Sequence, residues 1–98
     1  MTIGLEIDEN GHLIYGGSAR APYRDMRITV YLQRSETGFF WEDLAGTVKT
    51  GYDSLILEEE RDLAADDFFY RAKIVTDIFD SDRNIIETAT GYSDSERY

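Results

Sequence analysis

The run Asp80-Ser81-Asp82-Arg83-Asn84 spaces two carboxylates and an amide as a calcium loop does at its start. Hard oxygen donors of this kind suit a hard cation. Such a loop also needs Gly at its sixth position and a bidentate Glu at its twelfth, and here those places hold Ile85 and Gly91. The run therefore reads as a hairpin turn, and no metal site is expected. Asp62, Asp66 and Asp67 gather more acid in a loop, where they could hold a cation only weakly. Glu58, Glu59 and Glu60 are consecutive. Glycoside hydrolysis needs two carboxyl groups facing each other across a sugar-sized cleft, whereas neighbours on a strand point in opposite directions. The three read as a solvated strand edge. His12 is the sole histidine and follows the turn pair Asn10-Gly11. No Cys is present, and no Ser stands in a Gly-x-Ser-x-Gly elbow. No catalytic residue is expected, and the chain is read as a non-enzyme without a cofactor. The remaining chemistry is recognition. Phe39, Phe40 and Trp41 are consecutive, so they cannot all enter one face of a sheet. At least one of them, Phe40, is expected to face outward as contact material.

These side chains need a scaffold, and the composition allows a single one. Ninety-eight residues make one domain, assigned to 1–92 with a polar tail at 93–98. The hydrophobic share of 42% is enough for a core rather than a disordered chain. With no Cys, that core must hold without disulfides. The formal charge is −10. Such a field repels nucleic acid and anionic membranes, so no direct nucleic-acid binding or membrane insertion is expected and basic partners are favoured. The acid is uneven: between Asp53 and Asp67, Arg61 is the only base among seven acids.

Alternation supplies the elements. From Phe68 to Phe79, Tyr70, Ala72, Ile74, Thr76 and Ile78 fall on one side, and Arg71, Lys73, Val75, Asp77 and Phe79 on the other. That period of two is a strand with one buried face. Shorter runs predict strands at Ile3–Ile7, His12–Ala19, Met26–Gln33, Phe39–Val48, Ser54–Glu59 and Ile85–Thr90. The Gly16-Gly17 pair marks a bulge or a close backbone approach, and the phase slip between Trp41 and Leu44 a bulge. Arg20–Asp25, with the lone Pro22, is a connection; Glu60–Asp67 is a polar loop or short helical turn, and the C-terminal tail is expected to fray. Seven short strands with turn residues between them predict an all-β, antiparallel β-sandwich.

Leu63 followed by Tyr70-Arg71-Ala72-Lys73-Ile74 resembles the corner and following strand of fibronectin type III and related immunoglobulin-like sandwiches. A wider set is similar to small exported β-sandwich proteins of unknown function from Gram-positive bacteria: Tyr31-Leu32-Gln33-Arg34, Thr37 to Trp41, Phe69 to Ala72, Asp80 to Asn84, Ile86-Glu87 and Ser93. That pattern usually has Gly before the last strand, where this chain has Asn84. The resemblance implies an immunoglobulin/fibronectin-III-like fold and a secreted or cell-surface protein whose leader is not in this sequence. A native start at Met1 would instead leave it in the cytoplasm.

Together these features predict a non-enzymatic interaction domain whose protein partner is unidentified, with a basic one favoured by the charge. The candidate partner-binding residues are Phe39, Phe40, Tyr52, Glu58, Glu59, Glu60, Asp62, Asp66 and Asp67. The alternative is an acidic nucleic-acid mimic that occupies the basic groove of a nucleic-acid-processing enzyme.

Overall fold

Residues 1–64 and 66–98 are described by a computed structural model. They form strands β1 (Thr2–Ile7), β2 (His12–Ser35), β3 (Glu42–Asp62), β4 (Phe69–Phe79), β5 (Ile85–Tyr92) and β6 (Glu96–Arg97), with no helix among the described residues. All six strands belong to one curled, wholly antiparallel sheet.

The curl comes from β2 and β3, which run side by side throughout while the other neighbour of β2 changes halfway. The first half of β2 pairs with β1 on one edge, Leu5 opposite Tyr15, and with the second half of β3 on the other, Gly17 opposite Leu57. The second half of β2 pairs with the first half of β3 and with β4, where Val30 faces Thr47 and Ile74. β5 extends this second half beyond β4, and β6 adds a short pair at Phe69 and Tyr70. Between the halves the register jumps from Ala21–Asp53 to Asp25–Tyr52, leaving Pro22, Tyr23 and Arg24 unpaired. Pro22 lacks a ladder donor, so a bulge is where a sheet admits it. Tyr23 and Asp53 both have positive φ, and the Tyr23 amide donates to Asp53 Oδ1 at 3.2 Å.

That break also switches the parity of the buried residues. Leu13, Tyr15, Ala19 and Ala21 point inward before it, and Met26, Ile28, Val30 and Leu32 after it. With Leu55, Leu57, Tyr70, Ala72 and Ile74 they form one cluster, closed at its edge by Ile3, Leu5 and Ile7. The two halves therefore bury their apolar faces against each other. Each fully buried aliphatic side chain contributes about 1.5–3 kcal/mol by leaving water.

Several expectations need correction. Predicted strands two and three are one strand, because three unpaired residues bend the chain without ending its ladder. Predicted strands four and five likewise join in β3 through the Thr50–Asp53 segment. Phe39, Phe40 and Trp41 precede β3 instead of lying in it. Glu60, Arg61 and Asp62 pair with β2 and are not loop. The part of the predicted Glu60–Asp67 loop that falls on Ala65 lies outside the described residues. The tail is tied down: the amides of Ser93 and Tyr98 donate to the carbonyls of Ala72 and Phe68 at 2.9 and 3.0 Å.

Other details agree with the sequence. Leu44 is the extra residue of a bulge, since Leu32 pairs with Ala45 and Gln33 with Asp43. The turn at Asp80–Asn84 closes on Asp80 Oδ1, which accepts the amides of Asp82 and Asn84, both at 2.9 Å. Gly16 and Gly17 are places of close approach. A Cβ at Gly16 would overlap the Leu57 carbonyl oxygen, and one at Gly17 would lie 2.7 Å from the Thr2 oxygen.

Gly4 gives the contrast, because a Cβ there meets nothing within 4 Å. Gly16→Ala is expected to destabilise the fold by about 1–3 kcal/mol through overpacking against backbone. Gly4→Ala is expected to be neutral or to stabilise by about 0.4–1 kcal/mol, by reducing the freedom of the unfolded chain. Urea denaturation of both variants measures this, and equal losses would contradict the close approach.

Candidate functional site

The β2–β3 loop presents two bare aromatic rings. Phe39 and Phe40 are each 84% exposed. Side-chain capping, not packing, holds them there. Ser35 Oγ accepts the amides of Thr37 and Gly38 at 3.2 and 2.8 Å. Thr37 Oγ1 accepts those of Phe39 and Phe40 at 3.1 and 3.4 Å. Gly38 takes φ +83°, which a side chain would strain. Short polar side chains thus give the backbone an alternative to extending the ladder, and the tip stays a shaped loop.

At the base of the tip, Arg34, Phe40, Trp41, Glu42 and Phe68 line an open depression of about 400 Å³. The Arg34 guanidinium lies 4.4 Å from the Phe68 ring centre and binds Glu42 Oε1 through Nε and Nη2 at 3.0 and 2.7 Å. An aromatic tip beside a fixed ion pair is suited to burying a side chain of another molecule.

The other sequence-predicted residues scatter over three further places. Tyr52 is exposed beside the mid-ribbon break, near Asp25, Phe79 and Arg83. Glu58, Glu60 and Asp62 face outward from the second half of β3, in line with Ile56, which is 71% exposed. Glu59 faces the opposite way, at the rim of the core. Burial raises the pKa of the Tyr15 hydroxyl above the ordinary tyrosine value, and the charge of Glu59 adds to that. Asp66 and Asp67 have partners within the chain. Asp66 accepts from the Tyr70 hydroxyl at 3.0 Å, and Asp67 holds Arg97 through two contacts of 2.7 and 2.6 Å. Burial, then the bond to Asp66, raises the Tyr70 pKa as well.

Neither Glu42 nor Glu87 pairs with Arg71 or Lys73. Glu42 holds Arg34, and Glu87 lies opposite Ile78. Arg71 instead stacks between Trp41 and Tyr92, with ring centres 4.2 and 4.3 Å from its Cζ. The sequence placed Arg71 on the outer face. The pairing of Arg71 with Gln33, which lies beside the start of β3, and of Lys73 with Tyr92 is what brings the two rings to it. The Tyr31 ring lies over Gly46, where a Cβ would be 3.1 Å from two ring carbons. On the same face, Asp77 is buried yet satisfied, accepting from Arg27 Nη2 and Thr88 Oγ1, both at 2.8 Å.

His12 starts β2 at the surface, with Nδ1 2.9 Å from Asp62 Oδ1 and Nε2 3.8 Å from Glu60 Oε1. Among the described residues no group of three His, Asp or Glu side chains is disposed to hold a metal ion. Nor is any helix among them long and apolar enough to cross a membrane.

The bond to Asp62 raises the His12 pKa above its ordinary value, and the charges of Glu60, Asp62 and Asp8 add to the rise. A raised folded-state pKa favours folding with the imidazole charged. The contribution is therefore complete below about pH 6.5, the unfolded value, and is lost as the pH rises through the folded one. Proton NMR titration should give His12 a pKa above 6.5 in the parent chain and a lower one in Asp62→Asn. An unchanged value in the variant would contradict the pairing.

No protein-family model matches this chain, and neither a curated protein nor a solved structure shows significant similarity to it, so no relative's activity transfers to these residues.

Proposed function

We propose that the chain is a non-enzymatic protein-interaction domain, secreted or at the cell surface, that contacts its partner through the Phe39-Phe40 tip. The exposure of both rings on a capped, glycine-shaped loop carries this reading. Two adjacent phenylalanines in water are costly unless something covers them, and aromatic residues at the centre of an interface carry most of its binding energy. The chemical inventory agrees with a non-enzymatic role. The one imidazole is engaged by Asp62 at the surface, and the chain has no thiol.

The fold part of the proposal is a fibronectin-type-III-like β-sandwich. If β2 and β3 are each counted as two strands, broken at Pro22–Arg24 and at Asp53, the pairing supports this reading. One layer would be β1, the first half of β2 and the second half of β3; the other would be β3, β2, β4 and β5. The Tyr70 hydroxyl, bonding back to Asp66 four residues upstream, takes the place of a tyrosine corner's tie to the backbone. In such a sandwich the β2–β3 loop lies at one end, where binding loops gather.

The acidic-mimic reading is favoured by one observation, the alignment of Glu58, Glu60 and Asp62 at two-residue intervals on one face. Charge reversal at Glu58 and Glu60 would abolish inhibition of a nucleic-acid enzyme if that reading holds.

The tip is tested by Phe39→Ser and Phe40→Ser, alone and together. Both rings are exposed, so stability is expected to stay within about 0.5 kcal/mol of the parent. Loss of a hot-spot ring should weaken binding by about 2 kcal/mol or more, roughly thirtyfold. Affinity capture from envelope and secreted fractions, with sedimentation to follow self-association, gives the readout. Identical capture and self-association by parent and double variant would remove the tip from the proposal.

A further inference from the structure

The outer face of the second half carries a cation held in place by two rings and an amide. Arg71 is fixed on three sides, by the Trp41 and Tyr92 rings and by its Nε, which donates to Gln33 Oε1 at 2.8 Å. Gln33 is itself fixed, since its Nε2 donates to Asp43 Oδ1 at 2.8 Å. Lys73 stands two residues along on the same face, its Nζ 5.6 Å from the Tyr31 ring centre and 6.0 Å from that of Tyr92. Among the described residues neither Arg71 nor Lys73 is within ion-pair distance of a carboxylate. This holds in a chain whose twenty acids outnumber its ten bases, so the lack of a partner is not for want of acids. Among the described residues the two Nη atoms of Arg71 have no acceptor, and no buried side-chain nitrogen or oxygen lacks a partner. The Nη atoms therefore reach solvent.

The geometry points to a receptor for one side-chain carboxylate of a partner segment at Arg71, with Lys73 as the second charge. A guanidinium whose Nε is engaged offers its Nη pair as a planar fork, which a carboxylate fills with two parallel bonds. Rings on both faces exclude water and hold the fork still, so little side-chain entropy remains to be lost on binding. The field of the whole chain then selects among anions. At a net charge of −10 a run of acids or a dianionic phosphate is repelled, whereas a single carboxylate within a neutral or basic segment gains the local contact without that cost. Trp41 joins this receptor to the tip, because it also lines the depression beneath Phe40. The inference rests on the interaction-domain reading and adds the partner's chemistry: an apolar residue for Phe40 and an Asp or Glu close by in sequence.

Trp41 is the only tryptophan, so its fluorescence reports this site directly. The full chain is titrated with N-acetylglutamate α-amide at constant ionic strength, with chloride as reference, and the Arg71 Nε–H NMR signal is followed in parallel. Saturable changes in both signals are expected in the millimolar range. Arg71→Met should weaken the response at least about tenfold, with Arg71→Lys in between because it keeps the charge and loses the fork. A response no different from chloride, or an equal one in Arg71→Met, overturns the receptor. A stronger response to N-acetylalanine, which carries only a chain-terminal carboxylate, overturns the assignment to a side chain. A stronger response to hexaglutamate overturns the selection by net charge. Should Arg71→Met fail to fold, the Nε–H signal of the parent chain decides alone. Phe39→Ser/Phe40→Ser should leave the glutamate response intact, which separates failure of the receptor from failure of the tip.

Discussion

Everything else in this structure depends on the mutual burial of two apolar faces carried by one ribbon. β2 has a buried stripe in both halves and β3 in its second half, and neither half of the ribbon can cover its own stripe. The ribbon must therefore fold on itself, and the break at Pro22–Arg24 and Asp53 is where it does so. Because the break has three residues on one strand and none on the other, it also moves the inward side chains from odd to even positions. Without that shift one half would turn its Ile and Leu to water, since a slip of one residue exchanges the two faces of a strand. The contacts across the fold are tight. Ile74 Cδ1 lies 2.8 Å from where a Gly17 Cβ would be, and Met1 Cε lies 3.0 Å from that of Gly91. The glycines let the two halves close.

The core consumes the apolar side chains of alternating positions and leaves the outward ones to electrostatics. On the outer face of the first half the acids Glu58, Glu60 and Asp62 stand in line with exposed Ile56. On the second half cations stand stacked on rings: Arg71 on Trp41 and Tyr92, Lys73 near Tyr31. The bases that do pair are held by neighbours in the fold, as Arg27 by Asp77, Arg34 by Glu42 and Arg97 by Asp67. The surface is thereby divided into an acidic face, an aromatic cationic face and a phenylalanine tip. That division places three chemically distinct surfaces around one core.

Local rules in the sequence reach as far as single strands and turns. The stripe Tyr70, Ala72, Ile74 and Thr76 is legible from period two and is buried in the fold. So are the Asp80 turn, the Leu44 bulge and the close approach at the glycine pair. Strand ends are less legible. Pro22 reads as an interruption, yet a bulge absorbs it and the ladder continues on both sides. Phe39 and Phe40 read as strand by propensity, yet Thr37 caps their amides and holds them in a loop. Aromatic residues favour strands because they pack on a half-buried surface, and both of these rings are exposed.

By itself the sequence determined the class of the fold, the inward stripe of each strand, the acidity and the outward aromatic at Phe40, because each follows from residue type and a spacing of two. Which strands meet was decided by the tertiary structure, because pairing depends on burying both halves of a ribbon at once and not on any local run. From that pairing alone came the stack of Arg71 between two rings that lie 30 and 21 residues away in the chain. No local signal encodes such a contact, since it exists only when β2, β4 and β5 lie side by side in this register.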